Sequence, residues 1–207
     1  MMMRVCLFGW AIAFLPALAA QAGKYNPALS IGDAAPAFQG LPDTFGEEHS
    51  LAGLKDYDVV VLVFTCNSCP YARDIEDRLI ALAKRFNTDG KCALLAINPN
   101  KVPEDLPPEM KARAEAKGFN FPYLFDETQQ TAKAYGATYT PECVVLNKER
   151  KVVYLGALDD SPSGKNVQKK YVEEAVTAAL AGKAPEVTET PATGCAVRYV
   201  KERRKKK

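Results

Sequence analysis

The sequence has a single histidine, His49, and no second cysteine pair at metal-ligand spacing. A zinc centre built on Cys66 and Cys69 would need two more ligands, and Cys92, Cys143, Cys195 and His49 do not offer them at a matching interval. Also missing is a basic face interleaved with aromatics, which argues against nucleic acid as a partner. There is no internal repeat and no low-complexity core, and beyond residue 22 no segment is apolar enough to span a bilayer. Nor is there a dense, evenly paired disulfide framework. Of six cysteines, Cys6 falls in the first 22 residues, and only Cys66 and Cys69 among the other five are close in sequence. One close pair with scattered singles points to chemistry.

What is present suits one globular domain of ordinary size: 207 residues, 47% of them hydrophobic. Residues 1–22 read as a secretory signal, with Arg4 as the positive end, Val5–Leu15 as the apolar run, and Ala17-Leu18-Ala19 or Ala20-Gln21-Ala22 as the cleavage site. An uncleaved anchor is the competing reading. Pro16 and the alanine-rich exit favour cleavage, hence a periplasmic or secreted protein with no stable membrane insertion afterwards. The tail Arg198–Lys207 holds seven basic residues and one acid. With that tail and Arg4 set aside, 19 of the 27 basic and 24 of the 25 acidic residues remain, so the body is acidic. Such a tail reads first as a solvated, disordered end.

The expected map is therefore a signal over 1–22, a mobile lead-in over 23–30, one domain over 31–182, and a basic tail over 183–207. Within the domain, Phe45-Gly46-Glu47 marks a hairpin bend. Asp58–Phe64 is a continuous β-branched run, the pattern of a strand buried on both faces. After Pro70, Ile75, Leu79, Leu82, Ala83 and Phe86 recur at helical spacing, and Ala93–Ile97 is a second buried strand. Met110–Lys117 is a helix opened by Pro107 and Pro108 and closed by Gly118. A short strand then leads to a helix with Asp126 as N-cap and Gln129 three residues on, ended by Gly136. Cys143–Leu146 and Val152–Leu155 form a hairpin, and a last helix carries Val172, Ala175, Val176 and Ala179 to a stop at Gly182. Strands alternating with helices, then a closing hairpin, predict an α/β fold with a mixed central sheet flanked by helices.

The stretch "VVVLVFTCNSCPYARDIEDRLIAL" puts two thiols where the first buried strand ends, at the sheet edge where open α/β folds build their sites. A helix beginning near Cys66 or Asn67 turns unpaired N–H groups toward both sulfurs and favours thiolate, the reactive form. Two thiols three residues apart can also close a small disulfide. A static disulfide over so short a loop would constrain the unfolded chain little, so a redox couple is the stronger reading.

Beyond these patterns, the chain resembles the thioredoxin-like superfamily, specifically exported redoxins related to the peroxiredoxins of the AhpC/TSA group. The resemblance spans Ile31–Gly182 and rests on "IGDAAPAF", "FTCNSCP", "FPYLFDETQQTAKAYGATYTPECVVLN" and "VVYLGALDD". It implies a thioredoxin-like fold with an N-terminal redoxin-type extension and a cis Thr140–Pro141 bond beside the cysteines. Two chemistries follow from it. In the thioredoxin pattern Cys66, exposed at the helix N-terminus and the more acidic of the two, attacks a substrate disulfide and Cys69 resolves. In the peroxiredoxin pattern Cys69 attacks peroxide, a role that wants an arginine, for which Arg73 is the one close candidate. Some exported relatives bind copper through C-x-x-x-C-P and a late histidine. Here the spacing is one shorter and His49 comes early, so a copper-binding module ranks third. The resemblance implies no organic cofactor and no metal, with partners that are protein or small-molecule disulfides, thiols or peroxides, and a thiol reductant.

The remaining candidates carry plainer expectations. Thr65 and Thr140 flank the site as supporting residues, while Tyr71 and Phe45 border it without assigned chemistry. Cys92 and Cys143 read as buried strand residues, although Cys143 lies two positions after Pro141. Cys195 falls in the basic segment "PATGCAVRY", where a mobile, somewhat acidified thiol could relay electrons to the central pair, join two chains, or stand by unpaired.

Overall fold

The computed structural model describes residues 23–87 and 89–201, so the expected signal over 1–22, with Cys6, and residues 202–207 at the end of the basic tail lie outside the described residues. Among the described residues no helix is long and apolar enough to cross a membrane.

Chain order begins with a small hairpin, β1 (Leu41–Pro42) and β2 (Glu48–His49), bent at the expected Phe45–Glu47. The central strand β3 (Val59–Phe64) follows, then α1 (Pro70–Asp74), α2 (Glu76–Phe86), β4 (Cys92–Asn98), α3 (Pro107–Lys117), β5 (Tyr123–Phe125) and α4 (Gln130–Ala134). A two-residue strand β6 (Tyr139–Thr140) precedes the hairpin β7 (Glu142–Leu146) and β8 (Val152–Gly156); α5 (Tyr171–Leu180) and a late strand β9 (Cys195–Ala196) complete the order. The main sheet runs β5-β4-β3-β7-β8, with β5, β4 and β3 parallel and β7 and β8 antiparallel. This is the predicted mixed sheet.

Every residue of β3 is buried because the two faces of the sheet are both covered. Val59, Val61 and Val63 point to the side of α2, α3 and α5, packing with Leu79, Leu82, Met110, Val172 and Val176. Val60, Leu62 and Phe64 point to the other side, against Leu29, Phe38, Leu54, Tyr135 and Leu146. Period-two alternation thus serves two cores with one strand.

Three expectations about the helices need correction. The helix after β3 does not start at Cys66 or Asn67; it starts at Pro70, with Cys69 as N-cap in an extended conformation (φ −91°, ψ 119°). The cause is steric, since a residue ahead of proline is driven out of the α region. That helix is also interrupted at Ile75 rather than continuous. The α4 helix is not capped by Asp126 in the expected box: Gln129 is the N-cap at φ 60°, and the Asp126 carboxylate instead accepts from the Ala132 N–H.

Finally, neither end of the described chain is loose. Asn26 is buried and its carboxamide donates to the Tyr135 carbonyl, so 23–30 packs on the domain. The segment 183–201 returns across the sheet edge, where the Leu155 N–H donates to the Thr188 carbonyl, the Thr190 N–H donates to the Leu155 carbonyl, and Val197 is buried. Docking offsets the entropy that a basic, aperiodic stretch would otherwise keep.

Candidate active site

The C-terminal end of β3 delivers Thr65 and Cys66 to the edge of the sheet, and Pro70 sets where the helix can begin. Thr65 is buried, with its N–H committed to the Ile97 carbonyl. The loop between is clamped from one side by the short 3₁₀ turn Pro103–Asp105. Asp105, wholly buried, accepts from the Ser68 N–H and the Ser68 hydroxyl, both at 2.7 Å. The Asn67 carboxamide donates to the Glu104 carbonyl and accepts from the Tyr123 hydroxyl. Burial holds the Tyr123 pKa well above its ordinary value, so the phenol stays a donor. The two residues between the cysteines are thus fixed by hydrogen bonds, and the thiols inherit their positions.

From the other side comes Thr140, also wholly buried. The Thr140–Pro141 bond is cis. The Thr140 hydroxyl lies 3.3 Å from Cys66 Sγ, and its carbonyl accepts from the Cys69 thiol at 3.0 Å. The segment is held by Glu142, whose buried carboxylate accepts from the Thr138 and Tyr139 N–H groups. Burial raises the Glu142 pKa, and those N–H donors act the other way.

Cys66 is 2% exposed and Cys69 0%. The two sulfurs share a proton unequally. Cys66 donates to Cys69, which pushes the Cys66 pKa up; burial and the nearby Asp105 charge push the same way. Cys69 accepts from Cys66, from the Cys195 thiol, and from the Ala72 and Cys195 N–H groups, so its pKa falls despite burial. As a neutral thiol Cys69 has one acceptor, the Thr140 carbonyl; as a thiolate it has several donors. The structure therefore reverses the expected order of acidity: hydrogen bonds from Cys66 and Cys195 favour the Cys69 thiolate, and the Ala72 N–H of the helix that Pro70 opens adds to them.

Of the residues singled out in the sequence, Cys66, Cys69, Thr140, Pro141 and Cys195 come together, with Cys195 packed on Cys66, Cys69 and Ala72. Cys195 is neither mobile nor acidified: burial, then the hydrogen bond and charge of Cys69, raise its pKa. Arg73 is exposed and lines a groove with Asn67, Ser68 and Arg198. Cys92 and Cys143 belong to the core on the α2 and α5 side, and burial pushes up both thiols. His49 pairs with Asp43 in the first hairpin. Among the described residues, the one set of three ligating groups within 4.8 Å of one another is Asp43, Glu47 and His49, which includes no cysteine. The exposed Tyr71 and the buried Pro141 line, with Thr190 and Pro191, a cavity of about 230 Å³.

Asp105, Glu142 and Tyr123 were missed from the sequence. Asp105 follows Glu104 in the turn after β4, and Glu142 opens β7. Their position at the site edge was the available signal.

No curated protein matches the chain. A hypothetical protein from Sinorhizobium meliloti 1021 is 35% identical, with TM-score 0.78 over 84% of this chain and 97% of that one. An uncharacterized conserved protein from Geobacillus kaustophilus is 34% identical, with TM-score 0.79 over 86% and 96%. The thioredoxin domain of a thiol-disulfide oxidoreductase from Bacteroides vulgatus shares the fold at 21% identity, with TM-score 0.53 over 62% and 89%. The fold is thioredoxin-like, and the function is that of a redox enzyme whose partners are of the general kind such redoxins act on: thiols, disulfides or peroxides. Residues 31–155, more than half of the sequence and both cysteines of the pair included, match the AhpC/TSA family model, and the chain belongs to that family.

Proposed function

We propose that this protein is an exported thiol-disulfide oxidoreductase that works by cycling Cys66 and Cys69 between dithiol and disulfide. One observation carries the reading: Cys66 and Cys69 pack together at the end of β3 with Thr140 hydrogen-bonded to both sulfurs, and their surroundings favour the negative charge on Cys69. A thiolate beside a protonated thiol is the arrangement that disulfide exchange uses. Cys69 opens a disulfide, a mixed disulfide forms, and Cys66 attacks Cys69 to close the ring and release the product thiol. The mostly apolar cavity beside Tyr71 and Pro141 offers room for the side chains of a disulfide-bearing partner. Protein or small-molecule disulfides are the substrates in this reading, and a thiol reductant completes the cycle.

Peroxide reduction is the second reading, and the charge on Cys69 favours it, since that position is the peroxidatic one in the family pattern. Against it stands the lack of an arginine on the Cys69 sulfur among the described residues; Arg73 is exposed in the neighbouring groove. The copper reading has its histidine in the first hairpin, paired with Asp43. Export rests on residues 1–22 alone, and fractionation of the producing cell with N-terminal sequencing of the product tests it.

The deciding experiment is turnover of the purified protein on a disulfide substrate and on hydrogen peroxide, side by side. Disulfide turnover that vanishes in both Cys66→Ser and Cys69→Ser supports exchange. Peroxide turnover that survives in Cys66→Ser would replace it with the peroxidase.

A further inference from the structure

Residues 188–200 cross the thiol pair as a bound peptide would. Cys195–Ala196 pairs antiparallel with Tyr139–Thr140, with Cys195 opposite Thr140. On one side Thr190 hydrogen-bonds the Tyr154 hydroxyl and accepts from the Ala157 N–H. On the other, the Val197 N–H donates to the Thr138 carbonyl and the Arg198 N–H to Asn100 Oδ1. The buried Gln129 carboxamide donates to the Arg198 carbonyl and accepts from the Val200 N–H. Gly194 passes so near Thr140 that a Cβ there would lie 2.1 Å from the Thr140 carbonyl oxygen. Only glycine fits that approach.

This seating brings a third thiol to the pair. Cys195, opposite Thr140 on the paired strand, packs against the cluster of Cys66, Cys69 and Ala72, while Cys66 and Cys69 are sealed from solvent and Cys195 is partly open to it. A disulfide arriving from solution meets Cys195 first.

We infer that Cys195 is the outward member of a three-thiol relay, exchanging with disulfides from solution and passing the bond inward to Cys69. This rests on the exchange reading above. In the first step Cys195 gives its proton along the hydrogen bond to the Cys69 thiolate and attacks a substrate disulfide, forming a mixed disulfide and expelling one substrate sulfur as thiolate, which takes that proton from Cys69 and leaves as a thiol. Cys69, a thiolate again, then attacks the Cys195 sulfur; a Cys69–Cys195 bond forms, and the second substrate sulfur leaves as thiolate and is protonated by water. Last, Cys66 attacks Cys69, the Cys66–Cys69 disulfide forms, and Cys195 returns to the thiol. The net change is two protein thiols oxidised and one substrate disulfide reduced to two thiols. The tail stays seated throughout, so the buried pair is never uncovered.

The test uses the full-length reduced protein with oxidised glutathione, quenched in acid at intervals and mapped by peptide mass. The relay predicts glutathione on Cys195 first, then a Cys66–Cys69 disulfide. In Cys66→Ser an intrachain Cys69–Cys195 disulfide accumulates, and in Cys69→Ser the glutathione stays on Cys195. In Cys195→Ser, oxidation of the Cys66–Cys69 pair slows at least about tenfold at an unchanged thermal midpoint. Glutathione first on Cys66 or Cys69, or a Cys195→Ser protein that oxidises at the wild-type rate, overturns the relay and leaves the dithiol couple standing. Absence of any Cys66–Cys69 disulfide overturns both.

Discussion

The carbonyl oxygen of Thr140 lies 3.0 Å from Cys69 Sγ, and the hydroxyl of the same residue lies 3.3 Å from Cys66 Sγ. One residue thus addresses both thiols, with its side chain on Cys66 and its backbone on Cys69. Thr140→Val keeps the shape and the carbonyl but removes the hydroxyl. Loss of one hydrogen bond of about 1 kcal/mol should slow exchange roughly fivefold and change stability by less than about 1.5 kcal/mol. Turnover and urea unfolding measure the two. An unchanged rate would show that the hydroxyl is only filling space.

Acidity of the pair is testable by pulse alkylation. In Gly194→Ala the added methyl collides with Thr140, so the tail lifts and both buried thiols open to reagent. At mildly acidic pH a short iodoacetamide pulse should then label Cys69 ahead of Cys66, because Cys69 has the lowered pKa. In the wild type both should label slowly and Cys195 first. Faster labelling of Cys66 in the variant would contradict the assignment of the charge.

Asp105 clamps Ser68 through two bonds and places its charge near Cys66. Asp105→Asn keeps one acceptor and turns an amino group toward a donor. A stability loss of about 1–3 kcal/mol follows from a buried polar group left unsatisfied. The Cys66 pKa should fall, since a charge that raises it is gone. Thermal unfolding and thiol titration by ultraviolet absorbance report the two effects separately.

Alkaline pH should destabilise the fold. Burial, with a contribution from Asp89, pushes the Cys92 thiol up from 9.0 to about 12, and burial raises Cys143, Tyr135 and Tyr154 as well. An acid with a raised folded pKa keeps its proton when the unfolded chain has lost it. Its stabilising contribution is complete below the unfolded value and disappears as pH climbs through the folded one. The melting temperature of the reduced protein should therefore decline from about pH 9 to about pH 11, and less steeply in Cys92→Ala. Equal slopes in the two proteins would remove Cys92 from the explanation.

Much of the fold is written in local pattern. Val59–Phe64 is apolar at every position, which only a strand covered on both faces tolerates, and Gly118 and Gly182 stop their helices at positive φ (67° each). The site was legible where pattern and place coincide, at Cys66 and Cys69 after that strand. The acidity is less legible: a helix begun at Cys66 makes that thiol the more acidic, whereas Pro70 excludes Cys69 from helical backbone and sets the cap there. The tail was illegible for a different reason. Residues 188–200 have no period, and their partners Leu155, Thr140, Gln129 and Asn100 are scattered through the chain. Gln129 was assigned to a helix cap three residues from Asp126; its carboxamide instead holds Arg198 and Val200. Local sequence cannot show which of two hydrogen-bonding jobs a glutamine takes.

Seating Cys195 on the strand beside Cys69 also sets a competition. A group tethered this way acts at an effective concentration of millimolar or more, whatever the supply outside. Free thiols in the surroundings must outcompete a neighbour that never diffuses away. Low-molecular-weight thiols would then be poor at intercepting a bond held between Cys69 and Cys195, and the tail decides which outside disulfides are heard.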